Sequence, residues 1–230
     1  MAELATPCNK IVRRDFNGKE THMRHKSDLS KKCKIILASK SPRRKYLLEQ
    51  AGICFEVIPA DIEEKRHPNE PPEAYVQRLS KEKADHIAKE YPQKWVIGAD
   101  TVVVIDNSLL EKPQSTEDAR KMLGILSNRT HTVYTGYTIC SKSKEDSVTR
   151  SVKTDVLFKK LTPREIEWYI NTDEPFDKAG AYAIQGLGTF LVKAINGSYT
   201  NVVGLPVCEV IEDLMNCGVI ERNLSDLMES

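Results

Sequence analysis

Three short stretches of this chain carry residue types suited to a charged ligand. In the first, Ser39-Lys40-Ser41-Pro42-Arg43-Arg44, two adjacent arginines stand where a helix is expected to begin. Unpaired backbone N–H groups and the helix dipole favour an anion at such a place, and arginine's planar fork matches phosphate oxygens. Basic residues in a first turn oppose the dipole, a small cost that a bound phosphate would offset; the alternative is a capped helix with solvated arginines. The second, Gly98-Ala99-Asp100-Thr101, places an aspartate inside an otherwise apolar run. A buried carboxylate is expensive unless paired or metal-bound, so Asp100 is either a general base or cation ligand, or a group satisfied by backbone N–H donors. The third, Asp177 to Gly186, is rich in small residues that let backbone approach a ligand, and its Gln185 offers an amide able to read a base edge. A tight glycine-rich connection is the alternative there. Glu63-Glu64-Lys65 and Leu110-Glu111-Lys112-Pro113 add charge near these elements in sequence, although charged loops are usually solvated faces.

The elements that must position these groups are legible in outline. Ile35-Ile36-Leu37-Ala38 reads as a buried strand, followed by a helix to about Gln50 with Ser41 as its cap, Pro42 in its first turn and Gly52 marking its end. Phe55 to Ile58 alternates as a second strand; a polar loop, Asp61 to Pro72, precedes a helix from about Glu73 to Lys89. Trp95-Val96-Ile97 begins a strand expected to stop at Gly98-Ala99-Asp100 and resume at Val102 to Ile105, and Thr116 is expected to cap a helix reaching about Leu126. Alternating runs at Thr130–Cys140 and Val148–Phe158 predict an antiparallel hairpin. Thr162-Pro163-Arg164-Glu165 is a capping box, Thr189–Ile195 a further strand, and Pro206–Cys217 an amphipathic helix. Hairpins mixed with crossovers indicate an α/β protein with a mixed sheet.

Bulk composition excludes several classes. With 34 basic and 33 acidic residues the chain has no general attraction for nucleic acid or an anionic membrane. Neither a signal-peptide core nor an apolar run long enough to span a bilayer occurs. The six cysteines lack zinc spacing and C-x-x-C pairs, so free thiols in a reducing cytoplasm are expected. The five histidines are dispersed, with His86 on a helix and His131 on a strand, where packing or exposure is the ordinary role. Residues 1–31 are polar and aperiodic and read as a disordered leader, 32–221 as the folded domain, and 222–230 as a flexible tail.

Taken together, the segments resemble the Maf family of nucleotide pyrophosphatases. The resemblance rests on S-x-S-P-R-R at Ser39–Arg44, G-A-D-T-V-V at Gly98–Val103 and L-E-K-P at Leu110–Pro113. D-K-A-G-A-Y-x-I-Q-G at Asp177–Gly186 and I-N-G-S-Y-x-x-V-V-G-L-P at Ile195–Pro206 complete the set, in order along Lys34 to Cys217. It implies a mixed sheet in two lobes around a central cleft, similar to inosine triphosphate pyrophosphatases, and a Mg²⁺ or Mn²⁺ cofactor. Asp100 takes the proton-acceptor position, while Arg43, Thr101 and Gln185 match the positions linked to base choice in the branch acting on dTTP and UTP. Lys83, Glu64 and Lys112 match other cleft positions; Asp100 and Glu64 are the candidate metal ligands. Ser39, Ser41, Arg44, Glu111 and Lys178 complete the expected substrate contacts. The implied reaction is hydrolysis of a pyrimidine nucleoside triphosphate to monophosphate and pyrophosphate, in a cytoplasmic protein, with a homodimer as the implied assembly. The same chemistry on modified nucleotides, or a regulatory protein that restrains cell division, are the competing readings.

Overall fold

Apolar runs long enough to cross a sheet become the strands, and the polar breaks between them become turns. The computed structural model describes residues 12–14, 20–22 and 33–221. The chain divides into two units, Met1–Cys33 and Lys34–Ser230. In the first, β1 (Val12–Arg14) pairs antiparallel with β2 (Glu20–His22). The rest of the expected leader, like the tail 222–230, lies outside the described residues.

The second unit begins with β3 (Ile35–Leu37), α1 (Pro42–Gln50), β4 (Phe55–Val57) and α2 (Pro72–Glu90). Next come β5 (Trp95–Ile105), β6 (Ser108–Leu110), α3 (Thr116–Leu126), the long hairpin of β7 (Thr130–Ser141) and β8 (Asp146–Phe158), and α4 (Pro163–Ile170). Three 3-10 turns, at Glu174–Asp177, Ala179–Ala181 and Gly186–Leu191, lead to β9 (Val192–Asn196), α5 (Tyr199–Val203) and α6 (Val207–Asn216). Among the described residues the strands of this unit form one seven-stranded sheet in the order β4-β3-β5-β7-β8-β9, with β6 also paired to β5. β3 runs parallel to β4 and β5, whereas β7, β8 and β9 add antiparallel, so the sheet is mixed as expected.

The site depends on β5 more than on any other element. Side chains of a strand alternate between its two faces. Gly98 and Asp100 therefore face α2, while Ile97, Ala99, Thr101 and Val103 face the side of α1. On that second face two hydrophobic cores lie end to end. One gathers Ile35, Leu48, Ile97, Ala99, Tyr137 and Leu214, the other Val103, Leu123, Val133, Phe158 and Tyr169. Both β5 and β7 feed the two cores, which together correspond to the expected lobes. Between Ala99 and Val103 stands Thr101, so a polar seam separates the cores where the functional residues cluster.

Several expectations need correction. β5 is one continuous strand; it does not stop at Gly98-Ala99-Asp100, and Asp100 is paired with Gly136 of β7. The glycine marks close packing instead of a break. A Cβ on Gly98 would stand 2.2 Å from the Ser80 carbonyl of α2, and one on Gly136 would stand 2.3 Å from the Val76 carbonyl. Helix α3 is capped by Ser115, whose Oγ accepts from Asp118 N–H at 3.1 Å, one residue earlier than expected. The expected strand from Thr189 starts only at Val192, because Gly186–Leu191 is wound into a 3-10 turn. Helix α5 was not foreseen; its sequence Tyr-Thr-Asn-Val-Val is too short and too β-branched to show a helical period. Cys33 and Cys54 are disulfide-bonded instead of free. Cys140 and Cys217 are free thiols, as expected.

Because α2 lies directly on the two glycines, adding one methyl group must force helix and sheet apart. Gly136→Ala should cost about 1–3 kcal/mol by overpacking, read as a lower urea midpoint at unchanged slope. An unaltered midpoint would show that α2 can retreat without loss.

Candidate active site

Local sequence fixes the start of α1. Ser41 Oγ accepts from the Arg44 N–H at 3.4 Å, and Pro42 occupies the first turn without leaving a donor unsatisfied. This sets Arg44 over the polar seam. Its Nε donates to the Gly204 carbonyl at 2.7 Å, Nη1 to the Ala99 carbonyl at 2.8 Å and to Ser39 Oγ at 3.1 Å, and Nη2 to Thr101 Oγ1 at 3.0 Å. Burial draws the Arg44 pKa down, opposed by Asp100; arginine nonetheless stays charged. Thr101 Oγ1 also shares a hydrogen bond with Thr135 Oγ1 at 2.9 Å, and Thr135 Oγ1 donates to the Asn201 carbonyl at 3.1 Å. Buried Asn201 donates from Nδ2 to the Val133 carbonyl and to Thr154 Oγ1, which ties α5 to the sheet. The I-N-G-S-Y run thus has a physical task, to present the Gly204 carbonyl to Arg44.

On the opposite face Asp100 is 7% exposed and Lys83, from α2, is 6% exposed. Lys83 Nζ lies 2.7 Å from Asp100 Oδ1 and 2.7 Å from Glu64 Oε1. Burial pushes the Asp100 carboxyl upward, against the pull of Lys83 and Arg44. Burial also acts against the charge on Glu64, but Lys83, Lys112 and Arg44 outweigh it and hold Glu64 below the usual carboxylate range. The Tyr75 phenol is pushed up to about 12 by burial and by Asp100, Glu111 and Glu64, so it remains protonated. Arg43 Nη1 donates to Asp177 Oδ2 at 3.0 Å, and Lys178 Nζ donates to Asp177 Oδ1 and to the Glu174 carbonyl.

Each residue expected to contact substrate, carry the reaction or hold a metal lines one cleft of about 540 Å³, whereas Glu63 and Lys65 do not. Arg43, Arg44, Ser39 and Ser41 enter from the start of α1, Asp100 and Thr101 from β5, and Lys83 from α2. Glu64, Glu111 and Lys112 come from loops, and Lys178 and Gln185 from the 3-10 segment. Lys112 makes no ion pair among the described residues. Four of the five N–H donors of Arg44, and the Thr101 hydroxyl, also brace the protein. Asp177, Tyr75 and Gly204 also line the cleft and were not singled out, although Asp177 heads the D-K-A-G-A-Y run.

Among the described residues no group of three or more His, Cys, Asp or Glu is placed to hold a metal by itself. The donor chemistry still suits Mg²⁺, which takes one or two carboxylates and completes its shell with water and substrate phosphates. Asp100 and Glu64 each give one oxygen to Lys83, leaving Asp100 Oδ2 and Glu64 Oε2 as hard donors beside the cleft.

An α/β protein whose mixed sheet carries a nucleotide-sized cleft, lined by Asp100 and Glu64 together with Arg43, Arg44, Lys83 and Lys112, belongs among the enzymes that handle phosphate anhydrides. Residues 34–217 match the family model described as Maf-like protein, and this chain belongs to the Maf family. It is 51% identical over 185 residues to the dTTP/UTP pyrophosphatase of Syntrophus aciditrophicus, covering 80% of this chain and 90% of that protein. Against the dTTP/UTP pyrophosphatase of Syntrophotalea carbinolica it is 50% identical over 194 residues, 84% of this chain and 88% of the other. The dTTP/UTP pyrophosphatase of Myxococcus xanthus is 49% identical over 185 residues, 80% and 93% of the two chains. The solved Staphylococcus aureus Ham1 protein aligns with a TM-score of 0.41 at 15% identity, over 69% of this chain and 79% of that one, too distant to add to the assignment. No helix among the described residues is long and apolar enough to cross a membrane.

Glu64 sits on a loop held by a second ion pair. Arg78 Nε and Nη2 donate to Glu70 Oε1 and Oε2 at 2.7 and 2.8 Å, and Arg78 Nη2 donates to the Lys65 carbonyl at 2.9 Å. Chiefly through the Arg78 hydrogen bonds, the Glu70 carboxyl falls from 4.5 to about 2. A depressed carboxyl stabilises the fold fully above its unfolded pKa, and the gain disappears as pH falls through the folded value. Glu70→Gln should therefore be less stable than the parent at neutral pH, with the gap closing between 4.5 and about 2. Thermal unfolding followed against pH tests this; a gap independent of pH would refute it.

Proposed function

We propose that this protein hydrolyses dTTP and UTP between the α and β phosphates, releasing nucleoside monophosphate and pyrophosphate. The observation that carries the reading is a buried carboxylate, Asp100, that lines the same cleft as Arg43, Arg44 and Lys112. The names of the three relatives above support the substrate class.

A nucleotide tail lying in the cleft would meet the guanidinium of Arg43 and the ammonium of Lys112. Both stabilise the phosphate chain and the charge that grows on the leaving pyrophosphate. Asp100, its pKa raised by burial, accepts a proton from the attacking water, while Lys83 keeps the carboxylate oriented. A Mg²⁺ or Mn²⁺ ion held by Asp100 and Glu64 would supply charge neutralisation at the phosphates. Arg44 and Thr101 contribute by holding α1, β5 and α5 in register. Gln185 reads the base, and its amide discriminates because a wrong base leaves polar groups unpaired. The setting we infer is cytoplasmic housekeeping of the nucleotide pool.

Purified protein incubated with UTP and Mg²⁺ should release pyrophosphate and UMP in equal amounts; orthophosphate as the only inorganic product would exclude cleavage at this bond. Asp100→Asn should lower kcat by about 10²–10⁴-fold while the circular dichroism spectrum is kept, because Lys83 retains Glu64 as a partner. Undiminished kcat would remove Asp100 from the mechanism.

A further inference from the structure

Residues 174–188 supply Asp177, Lys178 and Gln185 to the cleft, yet the segment is built of 3-10 turns that share little regular backbone bonding. Its shape has to be imposed from outside. One side chain does much of this. Glu174 Oε1 accepts from the Tyr169 hydroxyl at 2.9 Å and from the Gly188 N–H at 3.0 Å, and Glu174 Oε2 accepts from the Leu187 N–H at 3.1 Å. Tyr169, fully buried on α4, accepts in turn from the Ala183 N–H at 3.2 Å.

The glycines confirm how closely this clamp is fitted. Gly186 has φ 68°, and a Cβ on it would stand 2.8 Å from Glu174 Oε2. A Cβ on Gly188 would stand 2.6 Å from the Tyr169 hydroxyl. Carboxylate and phenol thus occupy the space that side chains would need. The first residue of the segment is bonded to the last, and Gln185 lies between Ala183 and Leu187, whose N–H groups are both held.

We propose that Glu174, supported by Tyr169, is a positioning residue for base choice. It touches no nucleotide and acts by fixing where the Gln185 amide stands in the cleft. The proposal rests on the reading of Gln185 as the group that meets the base. A carboxylate offers only acceptors and here meets three donors, whereas a carboxamide of the same shape must turn its NH₂ towards one of them. Asp100 and Lys83 lie on β5 and α2 and share no bond with the clamp, so the proton-accepting pair stays in place when the clamp is weakened.

The test measures kcat and KM for UTP, CTP and ATP with the parent, Glu174→Gln, Tyr169→Phe, Gln185→Ala and the Glu174→Gln/Gln185→Ala double variant. Glu174→Gln should reduce the preference for UTP by about tenfold, mainly through KM, and Tyr169→Phe should do so in the same direction by less. In the Gln185→Ala background Glu174→Gln should cause no further loss of preference. Independent, multiplying losses would overturn action through Gln185. A preference kept in Glu174→Gln but lost in Gln185→Ala would overturn the clamp and leave the base reading standing. A preference kept in Gln185→Ala would overturn the base reading, and the positioning role with it. Should Glu174→Gln fail to fold, Tyr169→Phe carries the same comparison. Faster amide exchange at Leu187 and Gly188 is expected in either variant, and unchanged exchange would also overturn the clamp.

Discussion

The cost of a carboxylate inside a sheet governs this molecule. Asp100 is buried at mid-strand, where an unpaired charge would be prohibitive. It is tolerated because Lys83 reaches it from α2, and Lys83 can do so only because Gly98 and Gly136 let the helix lie directly on the strands. Lys83 is itself buried and is satisfied by two carboxylates. Neither ion is acceptable without the other, and the helix, the two glycines and the loop bearing Glu64 all serve the same arrangement. A buried ion pair in the core is a local conflict that the surrounding packing resolves.

Arg44 plays the complementary part on the other face. Its guanidinium joins the start of α1, the middle of β5 and the end of α5, elements far apart in sequence, through bonds to three carbonyl or hydroxyl groups of the seam and to Ser39. Arginine is suited to this because its donors are fixed in a plane and its charge survives burial. The neighbouring Arg43 is left at the mouth, partnered by Asp177. Two adjacent residues of one type therefore differ in setting, Arg44 bonded into the seam and Arg43 paired with Asp177 beside the cleft.

Much of this was legible beforehand. Cap, proline and glycine signals placed α1 and α4 closely, the polar loop ending at Pro72 marked the start of α2, and the alternating runs gave the β7–β8 hairpin. The residues of the cleft were legible as a set because charge and small residues in apolar surroundings need a reason. Their division of labour was not, since a sequence does not say which donors of Arg44 or Thr101 are already spent. Gly98 was misread as a strand break because glycine has two meanings in a strand, a bend or a close neighbour, and only the position of α2 decides between them. Glu174 and Tyr169 gave no signal at all: an acidic residue after a helix reads as a solvated turn until the amides of residues 187 and 188 are seen to converge on it.

Since β5 and β7 pass unbroken through both hydrophobic cores, the two halves of the sheet have no hinge between them. Closure over a ligand would therefore have to come from flexing of the shared strands or from the loops and turns at the rim. The walls that a ligand meets are thus set largely by the sheet that both cores share. Recognition in such a molecule works by preorganisation, with the entropy of ordering the site met during folding and not at each encounter.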